Sequence, residues 1–207
     1  EGAMALNDFA EVNGLARLSI DEGDGARAVW SPEPPTMMLS GVPVALPEGA
    51  FLQATADGEA ALIAAVRAAI GEARHVADLF AGIGTFALAL AGRILAVEGN
   101  RDAAAALLAT RRVQVMHRDL FRRPLTAAEL APLHAIVLDP PRAGAREQVA
   151  EIARSSVHRL AYVSCNPATF ARDTRTLIDG GYRLERIAPV GQFRWSTHVE
   201  LAASFRR

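Results

Sequence analysis

The fold of the chain is decided at residues 75–86, which are His75-Val76-Ala77-Asp78-Leu79-Phe80-Ala81-Gly82-Ile83-Gly84-Thr85-Phe86. The first five residues predict a buried strand, because a short apolar run that meets a turn signal is typical of a strand covered on both faces. The two glycines that follow let the backbone turn sharply and leave room for a ligand against the chain. A helix predicted over residues 85–91 would then direct its amino end at that ligand.

The same pattern recurs towards the carboxyl end of the chain. Apolar runs alternate with helical stretches, and each run ends at a polar residue: Asp78, Glu98, Asp119, Asp139 and Cys165. These strand ends lie 20 to 26 residues apart, the length of one strand–helix unit. Two more strands are predicted near residues 182–189 and 199–205. The pattern predicts a Rossmann-like α/β fold with a mostly parallel, seven-stranded sheet covered on both faces.

The region before this pattern has a different character. Residues 5–55 contain short apolar pieces interrupted by turn signals such as Asn13-Gly14 and Pro47-Glu48-Gly49. Such punctuation predicts short β-strands and tight turns in a segment too small to bury a core alone. We therefore divide the chain into a short β-rich segment, 5–55, and an α/β domain, 56–207.

The composition restricts the possible functions. At 207 residues, 51% hydrophobic and 22% charged, the chain is typical of a soluble globular protein, and we expect a cytoplasmic monomer without a membrane span. Its single cysteine excludes a disulfide framework and a cysteine-based zinc site. A net charge of −1 argues against an autonomous nucleic-acid binder. All 22 of its lysine-or-arginine positions are arginine, which suits phosphate contacts but also fits a codon-biased genome.

The acidic strand ends around the glycine loop indicate the type of cofactor. Gly82 and Gly84 fit a dinucleotide fingerprint, and Glu98 is compatible with NAD. A ring of acids nevertheless suits a cationic, phosphate-free ligand better than a pyrophosphate. Asp78 is expected near the ammonium group of S-adenosylmethionine, Glu98 at its ribose hydroxyls and Asp119 at its adenine amino group. We therefore favour S-adenosylmethionine over a dinucleotide, without a metal ion.

The lone cysteine has two interpretations. Cys165 ends a predicted strand, where a cysteine is usually a small buried hydrophobe. Methyl transfer to carbon 5 of a pyrimidine, however, requires a thiolate that adds to carbon 6, and a base that removes the carbon-5 proton. Glu200, in the last predicted strand, is the candidate base, and His198 is its rival.

The loop Asp139-Pro140-Pro141-Arg142 leaves an alternative open. Amino-directed DNA methyltransferases place an aromatic residue after a similar Pro-Pro pair, whereas this chain has Arg142. In an amino-directed enzyme Cys165 would be a packing residue. A third possibility is a cofactor-binding module without activity.

Taken together, the motifs resemble one family. They run in order through residues 51–53 (FLQ), 78–86, Val97-Glu98, 138–144 (LDPPRAG), 164–173 (SCNPATFARD) and 197–200 (THVE). This series resembles the S-adenosylmethionine-dependent RNA 5-methyluridine methyltransferases. The resemblance implies a class I methyltransferase domain that modifies a uridine in rRNA or tRNA.

The resemblance also implies a role for particular residues. Cys165 would be the nucleophile and Glu200 the proton acceptor. The residues expected to line the cofactor site are Gln53, Phe80, Gly82, Thr85, Glu98, Asp119 and Asp139. Arg142, Arg172 and Asp173 would shape the nucleotide pocket.

The chain also departs from the family pattern. Members usually carry an amino-terminal RNA-binding barrel and often a four-cysteine iron–sulfur cluster, so we expect residues 5–55 to be a remnant of the RNA-binding region and the chain to hold no such cluster. Gln53 is followed by Ala54-Thr55 rather than Val-Asn, and Thr85 replaces a frequent asparagine. Phe193-Arg194-Trp195 stands where a Phe-Pro stretch is common.

Overall fold

The computed structural model describes residues 2–23 and 25–207, so Glu1 and Asp24, the latter within the predicted β-rich segment, lie outside the described residues. The amino-terminal part begins with helix α1 (Gly2–Val12). Two antiparallel hairpins follow, formed by β1 (Leu18–Asp21) with β2 (Ala26–Trp30) and by β3 (Thr36–Leu39) with β4 (Val42–Ala45).

The remaining strands form one seven-stranded sheet. They are β5 (His75–Leu79), β6 (Arg93–Glu98), β7 (Gln114–His117), β8 (Ala135–Leu138), β9 (Arg159–Ser164), β10 (Arg183–Val190) and β11 (Glu200–Arg206). Their order across the sheet is β10-β11-β9-β8-β5-β6-β7. Strands β5 to β9 are parallel, and β11 runs antiparallel to both of its neighbours. The predicted fold class, a mostly parallel seven-stranded α/β sheet, is confirmed.

Helices cover both faces of this sheet. They are α2 (Ala56–Ile70), α3 (Arg101–Ala109), α4 (Ala127–Leu130), α5 (Arg146–Arg154) and α6 (Pro167–Asp179). Strand β8 shows why both faces need cover, because successive side chains of a strand point to opposite sides. Ala135 and Val137 pack in the cluster that contains the α2 residue Leu62, whereas Ile136 and Leu138 pack with the α5 residue Val149. No helix in the described ranges is long and apolar enough to cross a membrane.

Two local predictions were wrong. Residues 2–12 form a helix rather than short strands, since Ala10 packs inside and the chain turns only at Asn13-Gly14, where Gly14 has a φ of +60°. The helix expected over residues 85–91 is a single 3₁₀ turn, Ala87–Ala89. Leu90 is already extended, because the chain must reach the start of β6 at Arg93. There the Arg93 amide donates a hydrogen bond to the carbonyl oxygen of Arg74.

Candidate active site

The carboxyl ends of the parallel strands open onto a cavity of about 530 Å³. Open α/β sheets bind ligands at this edge, next to the point where the strand order reverses. Here that point lies between β5 and β8. The cavity walls come from residues 47–54, the glycine loop 80–86, the loop 139–142 and the chain just before β11. Nine predicted site residues line it: Gln53, Phe80, Gly82, Thr85, Glu98, Asp139, Arg142, the predicted nucleophile Cys165 and the predicted base Glu200.

The two residues predicted to react lie on neighbouring strands. Cys165 directly follows β9, and Glu200 is the first residue of β11. The antiparallel register pairs Leu201 with Ser164, so the next position brings Glu200 beside Cys165. The Glu200 side chain is only 7% exposed, and the cysteine is half-buried. A thiol and a carboxylate therefore share one wall of the cavity.

The cysteine loop is fastened to the loop after β8. Asn166, the N-cap of α6, donates from Nδ2 to the carbonyl oxygen of Arg142 at 2.9 Å. The Thr169 hydroxyl donates to the same carbonyl at 3.1 Å. Two side chains that bind one backbone oxygen therefore join the loop that follows Cys165 to the loop 139–142.

Arg172 and Asp173 fasten the next part of the same loop. Asp173 is buried and accepts hydrogen bonds from the Ala145 amide and the Tyr162 hydroxyl, both at 2.8 Å. Arg172 pairs with Asp173 and donates to the carbonyl of Ala143 at 3.0 Å. Neither side chain lines the cavity. Their predicted contact with a nucleotide stays a prediction, and the structure shows them holding residues 143–145 against α6.

The ionisable groups around Cys165 and Glu200 influence one another. Burial raises the pKa of Asp139 well above its usual range, and the charges of Asp78 and Glu200 raise it further. Burial also raises the pKa of Glu200, opposed by His198, whose Nε2 lies 3.5 Å from Oε1. Burial and then the charge of Glu200 raise the pKa of the Cys165 thiol, whereas Arg142 lowers it. Of the influences that lower the pKa of this thiol, the charge of Arg142 is the largest, so Arg142 favours the thiolate.

Asp78 does not reach the cavity, contrary to the expectation that it meets a cofactor ammonium group. It is fully buried beneath the glycine loop, and neither carboxylate oxygen has a hydrogen-bond partner within the described residues. Burial raises its pKa to about 7, opposed by the Ala87 backbone amide and reinforced by Glu98. The side chain is neutral or charged depending on pH near neutrality.

Glu98 is held by the backbone on both carboxylate oxygens. Oε2 accepts from the Gly82 amide at 2.7 Å and Oε1 accepts from the Asn100 amide at 2.6 Å. A carboxylate offers about four acceptor sites, so two remain for hydroxyl groups in the cavity. Gly82 and Phe80 complete the loop with φ angles of +56° and +63°.

Asp119 lies outside the cavity lining. Its Oδ1 accepts from the amides of Phe121 and Arg122, and its side chain is 46% exposed. The carboxylate therefore shapes the turn after β7. Its predicted contact with an adenine amino group stays a prediction.

The chemistry of the lining fits a cationic, phosphate-free cofactor. The carboxylates in the walls are Glu48, Glu98, Asp139 and Glu200, whereas Arg142 is the single guanidinium among the described lining residues. A pyrophosphate would meet repulsion here, and a sulfonium with an ammonium group would be attracted. No cluster of three or more potential metal ligands occurs within residues 2–23 and 25–207.

Two residues that line the cavity, Gln192 and Phe193, were not predicted as site residues. Gln192 Nε2 donates to Gln53 Oε1 at 2.6 Å across 139 residues of chain. The Phe193 ring packs edge to face on the His198 ring, with 5.5 Å between the two ring centroids. No local pattern identifies such contacts, although the departure at 193–195 from the family pattern marked the loop that carries them.

Comparison with known proteins agrees with these features. Residues 117–207 match the family model described as tRNA (uracil-5-)-methyltransferase. The chain is 52% identical over its whole length to an uncharacterized RNA methyltransferase of Zymomonas mobilis, and covers 54% of it. Over 76% of its length, the chain is 40% identical to the 23S rRNA (uracil(1939)-C(5))-methyltransferase of Pseudomonas savastanoi pv. phaseolicola, and this match covers 38% of that enzyme. The chain spans about half the length of the curated relatives it matches.

A solved structure shares the fold. The tRNA (uracil-54, C5)-methyltransferase of Pyrococcus abyssi, solved in complex with S-adenosyl-L-homocysteine, superposes with a TM-score of 0.76 at 23% identity. The match covers 92% of this chain and 51% of that one. The seven-stranded architecture is therefore that of a methyltransferase fold.

Proposed function

We propose that this chain is the catalytic part of an RNA (uracil-5-)-methyltransferase, and that its site transfers a methyl group from S-adenosylmethionine to carbon 5 of a uridine in rRNA or tRNA. The observation that carries the proposal is the placement of Cys165 beside Glu200 in the wall of an acid-lined cavity. The proposal includes a cytoplasmic monomer as the acting form.

The glycine-loop side of the cavity would hold the cofactor. S-adenosylmethionine supplies an electrophilic methyl group when it is bound. Glu98 would accept from the ribose hydroxyls with the lone pairs left free by Gly82 and Asn100. Phe80 and Thr85 line the same half of the cavity. The carboxylates of the lining attract the cofactor's positive charge.

The other half of the cavity would perform covalent catalysis on the base. The Cys165 thiolate adds to carbon 6 of the uracil ring, and the electrons of the carbon 5–carbon 6 double bond move towards the O4 carbonyl. Carbon 5 then forms a bond to the methyl carbon as the methyl–sulfur bond breaks. Glu200 takes the carbon-5 proton, the double bond re-forms, and Cys165 leaves as a thiolate.

The target uridine would have to leave its stack, because the thiol must approach carbon 6 from the face of the ring. Arg142, at the same wall, would favour the thiolate and could donate to a carbonyl oxygen of the base. The pairing of a thiol with a carboxylate has no use in amino-group methylation, which is why we prefer carbon 5 as the acceptor.

RNA carrying 5-fluorouridine tests the proposal, since a base cannot remove fluorine from carbon 5. Incubation with S-adenosylmethionine should give a denaturation-resistant protein–RNA adduct through Cys165, absent in Cys165→Ala. Methyl transfer that survives in Cys165→Ala would favour the amino-directed alternative. Cofactor binding without transfer to total rRNA or tRNA would favour the inactive module.

A further inference from the structure

Gln192, in the loop before β11, binds the segment 53–55, and both Gln192 and Gln53 line the cavity. Its Oε1 accepts a hydrogen bond from the Thr55 backbone amide at 3.2 Å. Its Nε2 donates to Gln53 Oε1 at 2.6 Å. One half-buried side chain therefore links the amino end of α2 to Gln53.

The direction of this chain of hydrogen bonds is determined at one end. A backbone N–H can only donate, so Gln192 must present its oxygen to Thr55 and its NH₂ group to Gln53. Gln53 must then turn its oxygen to Gln192. Its own NH₂ group has no hydrogen-bond acceptor among the described residues, and Gln53 lines the cavity.

We propose that Gln192 is a positioning residue that fixes the amide orientation of Gln53, so that Gln53 donates to an acceptor group of the cofactor. This inference rests on the proposed function. The acceptor is the carboxylate of the cofactor's amino-acid part, because the cavity offers a donor at Gln53 where most of its lining offers acceptors. A reversed Gln53 would direct an oxygen at that carboxylate and repel it.

The start of α2 is built to seat Gln192. A Cβ atom at Gly58 would lie 2.7 Å from Cγ and 2.8 Å from Cδ and Oε1 of Gln192. Gly58 is a buried helical residue without a positive φ, so helix geometry does not require glycine there. Alanine would favour the helix, and the missing side chain leaves the space that Gln192 fills.

The decisive variant is Gln192→Glu. A carboxylate still accepts from Thr55, and it accepts from Gln53 only if Gln53 reverses its amide. The loops stay joined while the group offered to the cofactor changes from donor to acceptor. Calorimetry should show S-adenosylhomocysteine binding roughly ten- to hundredfold weaker, with the melting temperature unchanged. Binding of 5′-methylthioadenosine, which lacks the amino-acid part, should change less than twofold.

Two control variants separate the proposal from simpler explanations. Gln114→Glu adds the same charge at an exposed position of β7 and should bind as the unmodified chain does. In a Gln53→Ala background, Gln192→Glu should cause no further loss of affinity for S-adenosylhomocysteine. Equal loss of both ligands, or no loss of either, would overturn the proposal. Failure of the unmodified chain to bind S-adenosylhomocysteine would instead overturn the proposed function.

Gly58→Ala provides an independent check. The added methyl group should displace the flexible Gln192 side chain and weaken S-adenosylhomocysteine binding several-fold, while the melting temperature stays equal or rises. Unchanged binding of S-adenosylhomocysteine by this variant, with Gln192 displaced, would contradict the positioning role. Gly2→Ala, where a Cβ atom would meet nothing within 4 Å, is the matched control.

Discussion

Glu200 lies beside Cys165 because β11 runs antiparallel to β9 and pairs Leu201 with Ser164. The two residues come from opposite ends of their strands, and only the reversal of β11 within an otherwise parallel sheet brings them to the same edge. A parallel last strand would place Glu200 at the far edge, away from the cavity.

Glu200→Gln should separate adduct formation from adduct release. The amide cannot accept the carbon-5 proton, so turnover should fall roughly 10²- to 10⁴-fold. The covalent adduct should instead accumulate on RNA with ordinary uridine. The charge of Glu200 raises the pKa of Cys165, so its loss should move the pH dependence of adduct formation to lower pH. Gel analysis of denatured reactions over a pH series measures both effects.

The matched control is Glu185→Gln, at an exposed position of β10, which should leave turnover and the pH dependence unchanged. Full turnover by Glu200→Gln would show that another group, with His198 the nearest candidate, removes the proton.

Arg142→Met should have the opposite effect on the thiol. The guanidinium lowers the pKa of Cys165, so its removal raises that pKa and decreases the thiolate fraction at neutral pH. Adduct formation on 5-fluorouridine RNA should become slower at pH 7 and recover towards pH 9. Arg146→Met, on the exposed start of α5, is the control. An unshifted pH profile for Arg142→Met would show that the thiol is activated elsewhere.

Much of this architecture could be predicted from local sequence. The strands that end at Asp78, Glu98, Asp139 and Cys165 are apolar runs buried on both faces, and a run of this kind carries its own signal. Once the strands and their parallel order are known, the position of these ends at one edge follows from topology. This is why the strand-end positions of Glu98, Asp139 and Cys165 bring them to the lining of the cavity.

The exceptions depend on contacts that no local pattern encodes. Asp119 and Asp78 lie at strand ends, as Glu98 does. Asp119, however, accepts a hydrogen bond from the Arg122 amide in the turn that follows it, and Asp78 is fully buried. The orientation of a side chain at a strand end is set by tertiary packing. The bond between Gln53 and Gln192 likewise joins residues 139 positions apart and can be recognised only in three dimensions.

Asp78→Asn should change how stability depends on pH. The folded-state pKa of Asp78 is raised from 3.8 to about 7, so between these values the unfolded chain loses its proton while the folded chain retains it. Stability must therefore fall as pH rises through this window. Asparagine cannot ionise, and without the charge of Asp78 the pKa of Asp139 also rises less. Urea midpoints at pH 5 and pH 7.5 should differ less in Asp78→Asn than in the unmodified chain.

Asp8→Asn, on the exposed side of α1, controls for the general effect of removing an acid and should keep the original pH dependence. Equal slopes for Asp78→Asn and the unmodified chain would show that Asp78 does not titrate in this window.

Tyr162→Phe should destabilise the fold through the loop that follows Asp139. The Tyr162 hydroxyl donates at 2.8 Å to Asp173, a buried carboxylate that also accepts from the Ala145 amide. A hydrogen bond to a charged group contributes about 1.5–3 kcal/mol to the free energy of unfolding. Tyr182→Phe removes a buried bond to the neutral carbonyl of Val157, which should cost about 0.5–1.5 kcal/mol. Urea unfolding compares the two variants, and an equal or larger loss for Tyr182→Phe would show that the Asp173 carboxylate does not depend on Tyr162.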